Sequence, residues 1–238
     1  MTLPGTPSLV FLTYLFAFLP WAALRSARRL RLAREAAPES ETPSRLHIWI
    51  GSLVMQAVLL FLAWRVGSGF GFRIFAASRP DPLDLVAAAG ALGACFGLRA
   101  LIRTLRSEEE RRRSVLYRIA PRTAAERVGW TVTVLLASVA EEAAYRGVGF
   151  SILWYALGDP WLAAGLSALA FALAHSMQGW KSGAVVFVIA LVMQALVAVS
   201  GTLILAMVVH GLYDLIAGYR IAVEAEQLDA EAAGLGTR

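Results

Sequence analysis

Three short stretches of this sequence carry side chains that could do acid–base chemistry together. The first is Glu141-Glu142-Ala143-Ala144-Tyr145-Arg146, two adjacent carboxylates and an arginine. The second is Phe171-Ala172-Leu173-Ala174-His175, and the third is His210-Gly211-Leu212-Tyr213-Asp214. The chain has 3 histidines, so two of them fall in these stretches. All three stretches interrupt strongly apolar runs, where one ionisable group at mid-membrane costs roughly 2.5–3.5 kcal/mol on insertion scales.

Helical spacing sorts the groups. Glu142 and Arg146 stand at i and i+4 with the acid first, the favourable order, and are expected to form a structural ion pair. Glu141 points about 100° away, beside Ser138 and Tyr145, with no partner in its own helix. His175 and His210 are its candidate partners. His210 and Asp214, again at i and i+4, can orient one another or share a ligand. His47, at the start of an apolar run, reads as interfacial, and Trp49, Trp154 and Trp161 as an aromatic belt.

The elements that must position these groups are membrane helices. The 238 residues are 58% hydrophobic and 16% charged, with mean hydropathy +0.62. One soluble core of this size could not bury so much apolar surface. Apolar runs near 8–24, 46–66, 83–102, 128–156, 160–176, 183–200 and 202–219 approach or reach the roughly 20 residues that cross a bilayer. The expected fold is all-α, a polytopic integral membrane bundle of about seven to eight transmembrane helices. An amphipathic interfacial helix is expected over 106–120, opened by Ser107-Glu108-Glu109-Glu110 as a capped, acid-rich start. The division expected is 1–120 for the first helices and this segment, 121–222 for the core that carries the chemistry, and 223–238 for a solvated, partly disordered cytoplasmic tail from about 225. No repeat and no extramembrane domain is apparent.

Charge sets orientation. The net charge of +5 comes from arginines in alternate loops, Arg25–Arg34, Arg103–Arg127 and Arg220, which places the N-terminus outside and the C-terminus in the cytoplasm. The same bias argues against nucleic acid as a partner. The first apolar run has no basic residue ahead of it and basic residues after it, the reverse of a cleaved signal, and reads as a retained helix. Cys95, the sole cysteine, excludes an internal disulfide.

The three motifs, in this order on separate spans, resemble those of the CAAX protease and bacteriocin-processing family of intramembrane endopeptidases, which includes the type II CAAX prenyl proteases. The resemblance covers about 125–220. It implies hydrolysis of peptide bonds in membrane-associated substrates within a membrane, expected to be a bacterial cytoplasmic membrane. Carried over, it assigns water activation to Glu141 with His175, and oxyanion stabilisation to His210. Asp214 stands where the family has Asn. An ionised Asp cannot donate a hydrogen bond, so Asp214 must be protonated, orient His210 or bind metal. Both a zinc-dependent and a metal-free glutamate mechanism fit these residues. The alternatives are an inactive relative serving as an immunity, sorting or scaffold protein, and a haem or proton-relay protein.

Overall fold

The computed structural model describes residues 5–36, 45–77, 79–112 and 114–232. Every regular element among them is helical. We number nine helices: α1 (6–36), α2 (Arg45–Gly69), α3 (Pro82–Thr104), α4 (Glu108–Arg112), α5 (Val115–Ile119), α6 (124–157), α7 (Pro160–Ala174), α8 (Trp180–Ser200) and α9 (Leu203–Ala232). The seven apolar runs thus become α1, α2, α3, α6, α7, α8 and α9.

Five helices are long and apolar enough to cross a membrane: Thr6–Arg29 of α1, then α2, α3, α8 and α9. Large apolar side chains such as Leu9, Val54, Phe61, Val86 and Val208 point outward from them, as lipid contact requires. α6 is as long as these but carries the charges, and α7 has 15 residues. At 1.5 Å per residue α7 rises roughly 22 Å, short of the bilayer core.

The helices pack in a bundle around α6. α2 lies along α6, α9 crosses α6 and α3, α8 joins α3 to α7, and α1 covers α7. Small residues make this possible. Ala140, Ala143, Ala144, Val148 and Ala63 are fully buried, so backbones approach closely where large side chains could not. Gly129 and Gly218 serve two tryptophans in the same way. A Cβ at Gly129 would press on the Trp49 ring, and one at Gly218 would overlap the Trp130 indole.

Local signals set the helix starts. Thr123 and Glu126 close a reciprocal cap on α6, and Asp81 and Asp84 do so on α3. Asp159 accepts from the amides of Trp161 and Leu162 at the start of α7. Ser107 and Glu110 cap one another as expected. The helix they open is short, however. The expected helix over 106–120 is two helices, α4 and α5, and Ser114 caps the second.

The tail is also ordered further than expected. α9 remains helical to Ala232 instead of giving way to a disordered segment near 225. Its acids have partners that adjacency along the chain could not reveal. Glu224 meets Arg103 and Arg111, Glu226 meets Arg127, and Asp229 meets Arg122. Residues 233–238 lie outside the described residues.

Candidate active site

The first motif sits where α6 changes its winding. Ala124–Glu141 is α-helical, Glu142–Gly149 forms a π-helical stretch, and Phe150–Leu157 returns to α. Such wide turns inside a helix recur at functional sites. Every residue from Ala140 to Gly149 is buried.

Glu142 is fully buried and has two partners. Arg146 Nη1 faces its Oε1 at 3.3 Å, the ion pair expected from the i, i+4 spacing. His210 Nδ1 lies 2.8 Å from the same oxygen. Glu142 therefore ties α6 to α9 as well as neutralising Arg146. The guanidinium also lies over the Phe171 ring, 4.1 Å from its centroid, so the cation meets a π-face where it lacks further hydrogen bonds.

Glu141 faces the other way, as its rotation about the helix requires. Its Oε2 stands 4.0 Å from His175 Nε2 and 3.9 Å from His210 Nε2. The two histidines come from the end of α7 and the middle of α9, so three elements converge on one oxygen. His175 follows directly on the last residue of this short helix, and its ring reaches toward Glu141 of α6. Phe171 O lies 2.8 Å from His175 Nδ1. A carbonyl only accepts, so Nδ1 carries a proton, and Nε2 is the nitrogen turned toward Glu141.

Asp214 Oδ2 lies 3.4 Å from His210 Nε2. His210 thus lies between Glu142 on one ring nitrogen and Asp214 on the other, and Glu141 Oε2 stands 3.9 Å from that second nitrogen. Tyr145 stacks edge-on against Phe171, with centroids 5.0 Å apart, and Ser167 donates to the Tyr145 carbonyl at 2.8 Å. These contacts fix α6 against α7 beside the histidine.

Gln56, in α2, was not among the residues expected to take part. Its Nε2 donates to Glu141 Oε1 at 2.6 Å. It is an uncharged polar residue in the middle of an apolar span, and a search for ionisable groups passes over it. Trp49 also departs from expectation. It is buried under α6 rather than set in an aromatic belt, whereas Trp154 and Trp161 are exposed. His47 lies exposed on α2, away from the cluster.

The cluster opens on a cavity of about 320 Å³ lined by Gln56, Glu141, Phe171, His175, His210 and Asp214. The lining continues through Trp49, Ser52 and Trp130 to Arg106, Leu116 and Ile119 of the segment after α3. Arg106 is fastened there by bonds to the Gln178 carbonyl and the Ser182 hydroxyl.

A metal does not suit this arrangement as it stands. Two ligands on one tetrahedral zinc, each about 2.0–2.1 Å from it, lie about 3.3–3.4 Å apart. The Glu141 to histidine separations, 3.9 and 4.0 Å, exceed that, and of the separations within the cluster the 3.4 Å between Asp214 and His210 meets it. Among the described residues no group of three or more His, Cys, Asp or Glu side chains is arranged to hold a metal ion. The possible zinc set of Glu141, His175, His210 and Asp214 is brought into one cluster but not into a ligand geometry.

Residues 123–216 match the family model of type II CAAX prenyl endopeptidases, Rce1-like. The match runs from the cap of α6 into α9, contains every residue of the three motifs and leaves out α1, α2 and α3. No curated protein and no solved structure matches the chain.

Proposed function

From the type II CAAX prenyl endopeptidase family matched by residues 123–216, we propose that this integral membrane protein is an intramembrane endopeptidase acting on membrane-associated peptides. The observation that carries this reading is the convergence of His175 and His210 on one oxygen of buried Glu141.

The chemistry follows from the distances. Separations of 3.9–4.0 Å suit one water hydrogen-bonded to Glu141 Oε2 and His175 Nε2, both acceptors. That water directs its protons at the two acceptors and a lone pair toward the substrate carbonyl. As the water oxygen bonds to the carbonyl carbon, Glu141 takes a proton. His210, donating from Nε2 when doubly protonated, faces the oxygen that becomes negative. The C–N bond then breaks, and the proton on Glu141 passes to the leaving amine. In this scheme the one hydrogen on His210 Nε2 is shared between Asp214 and the oxyanion, and Asp214 orients the ring, a role open to Asp as well as to Asn. Exclusion of bulk water strengthens each of these interactions.

The arginine-rich segment 103–127 and the end of α9 face the cytoplasm in this reading, with the N-terminus outside. The test is hydrolysis of a farnesylated fluorogenic peptide with a C-terminal C-a-a-X sequence by purified protein in proteoliposomes. Glu141→Gln is expected to lower the rate by about 10²–10⁴. Wild-type activity in that variant, or no cleavage by the wild type, overturns the reading. The second reading, a non-catalytic immunity, sorting or scaffold relative, draws on Asp214. It requires that the Glu141→Ala/His175→Ala double variant keep the cellular phenotype.

A further inference from the structure

α2 lies outside the segment matched to the family, yet it meets the reactive carboxylate. Gln56 Nε2 holds Glu141 Oε1 at 2.6 Å, which leaves Oε2 for the two histidines. An amide nitrogen is the end of Gln56 that an ionised carboxylate requires, so the amide oxygen must point elsewhere. That oxygen is buried and has no hydrogen-bond partner.

A second unmatched group lies on the same face. The indole Nε1 of Trp49, on a residue 4% exposed, is also buried and without a partner. Both residues line the cavity, and Ser52 lies between them. Positions 49, 52 and 56 are spaced i, i+3 and i+7, one stripe of a helix. Two turns separate Trp49 from Gln56, about 10 Å along the axis. The stripe carries one unmatched donor and one unmatched acceptor on residues that line the cavity. Buried polar groups are rarely left so.

We propose that this stripe of α2 is the rail on which the substrate backbone is seated. Trp49 Nε1 donates to a peptide carbonyl, and Gln56 Oε1 accepts from a peptide N–H. Gln56 has a second duty as the positioning residue for Glu141. An extended main chain offers both kinds of group whatever its side chains, so the rail fixes direction and register and not residue identity. The ligand class is an extended peptide segment. This inference rests on the endopeptidase reading above.

The experiment measures kcat and KM of the farnesylated fluorogenic peptide in proteoliposomes for Trp49→Phe, Gln56→Met and Glu141→Gln, each with its thermal melt. Phe keeps the ring against Gly129 and removes only the N–H. Trp49→Phe is expected to raise KM about tenfold with kcat unchanged, the signature of lost binding common to ground and transition states. Gln56→Met conserves volume and removes both polar atoms. It is expected to lower kcat about 10–100-fold, the range for loss of a supporting hydrogen bond. Both should keep the wild-type melting temperature, which separates seating from folding. Wild-type kcat and KM in both variants, with Glu141→Gln inactive, overturn the rail and leave the endopeptidase standing. Full activity in Glu141→Gln removes the endopeptidase reading and the rail with it.

Discussion

Glu142 accepts from His210 at 2.8 Å across the contact between α6 and α9, while the same oxygen faces Arg146 at 3.3 Å. The residue expected to serve as the structural half of an ion pair is therefore also the support of an imidazole in the reactive cluster. Its neighbour Glu141 lines the cavity on which that cluster opens. Two adjacent carboxylates divide the work because a helix turns them about 100° apart.

Removing Glu142 should damage the protein more than removing Glu141. Glu142→Ala leaves Arg146 charged and buried and His210 unsupported, a loss of about 3–5 kcal/mol for one half of a buried pair. Thermal melts in detergent should show Glu142→Ala well below wild type and Glu141→Ala close to it. Adding Arg146→Met to Glu142→Ala should restore much of the loss, since no charge then remains alone.

Asp214→Asn should retain hydrolysis within about tenfold, because an amide oxygen still accepts from His210 Nε2. Asp214→Leu, which can do neither, should lose about 10²-fold in kcat/KM. Equal loss in both variants would show that the negative charge itself is needed.

Chelation should leave hydrolysis intact. Glu141, His175 and His210 stand too far apart for common ligation, so dialysis against a strong chelator is expected to leave kcat unchanged. Loss of activity that returns with stoichiometric zinc would sink this expectation.

Gly218 faces the Trp130 indole with no room for a side chain. Gly218→Leu should displace that ring and lower stability by about 1–3 kcal/mol, the usual cost of overpacking. Trp130 lines the cavity, so KM should rise as well. A thermal melt and a substrate titration check the two parts separately.

At the end of the bundle that carries α4, Lys181 contacts both oxygens of Glu110, at 2.9 and 3.0 Å. The hydrogen bond from Lys181 holds this carboxyl below its ordinary value, with the Ser107 amide adding to the effect. A depressed carboxyl contributes stability above the ordinary glutamate value of about 4.3, and that stability is lost as pH falls through the lower folded-state value. Hydrogen exchange over 105–112 should thus stay protected at neutral pH and lose protection only below about pH 4. Glu110→Gln should be less protected throughout and show no such step.

The spans and the cluster could be read from residue types, because charge in an apolar run is conspicuous and helical spacing fixes which groups share a face. Glu141, His175 and His210 were identifiable for that reason. Gln56 was not, since an uncharged amide in α2 carries no signal until its partner, 85 residues away, is known. The length of α9 was hidden by the same kind of distance. Glu224, Glu226 and Asp229 read as a solvated tail, and only the fold sets Arg103, Arg111, Arg122 and Arg127 opposite them. Trp49 was misplaced because a tryptophan near a helix end suits both a headgroup layer and a socket over glycine. The π-helical stretch after Glu141 left no mark in the sequence that a helix-period argument could use.

The order in which the cluster is assembled bears on biosynthesis. Gln56 enters the membrane first, Glu142 follows, and His210 arrives 68 residues after Glu142, on α9. A half-made chain therefore holds its carboxylates without the imidazole that completes them. In the proposed reading, hydrolytic competence begins only once α9 has joined the bundle, so the nascent chain passes through the insertion machinery, itself rich in membrane helices, before it can cut.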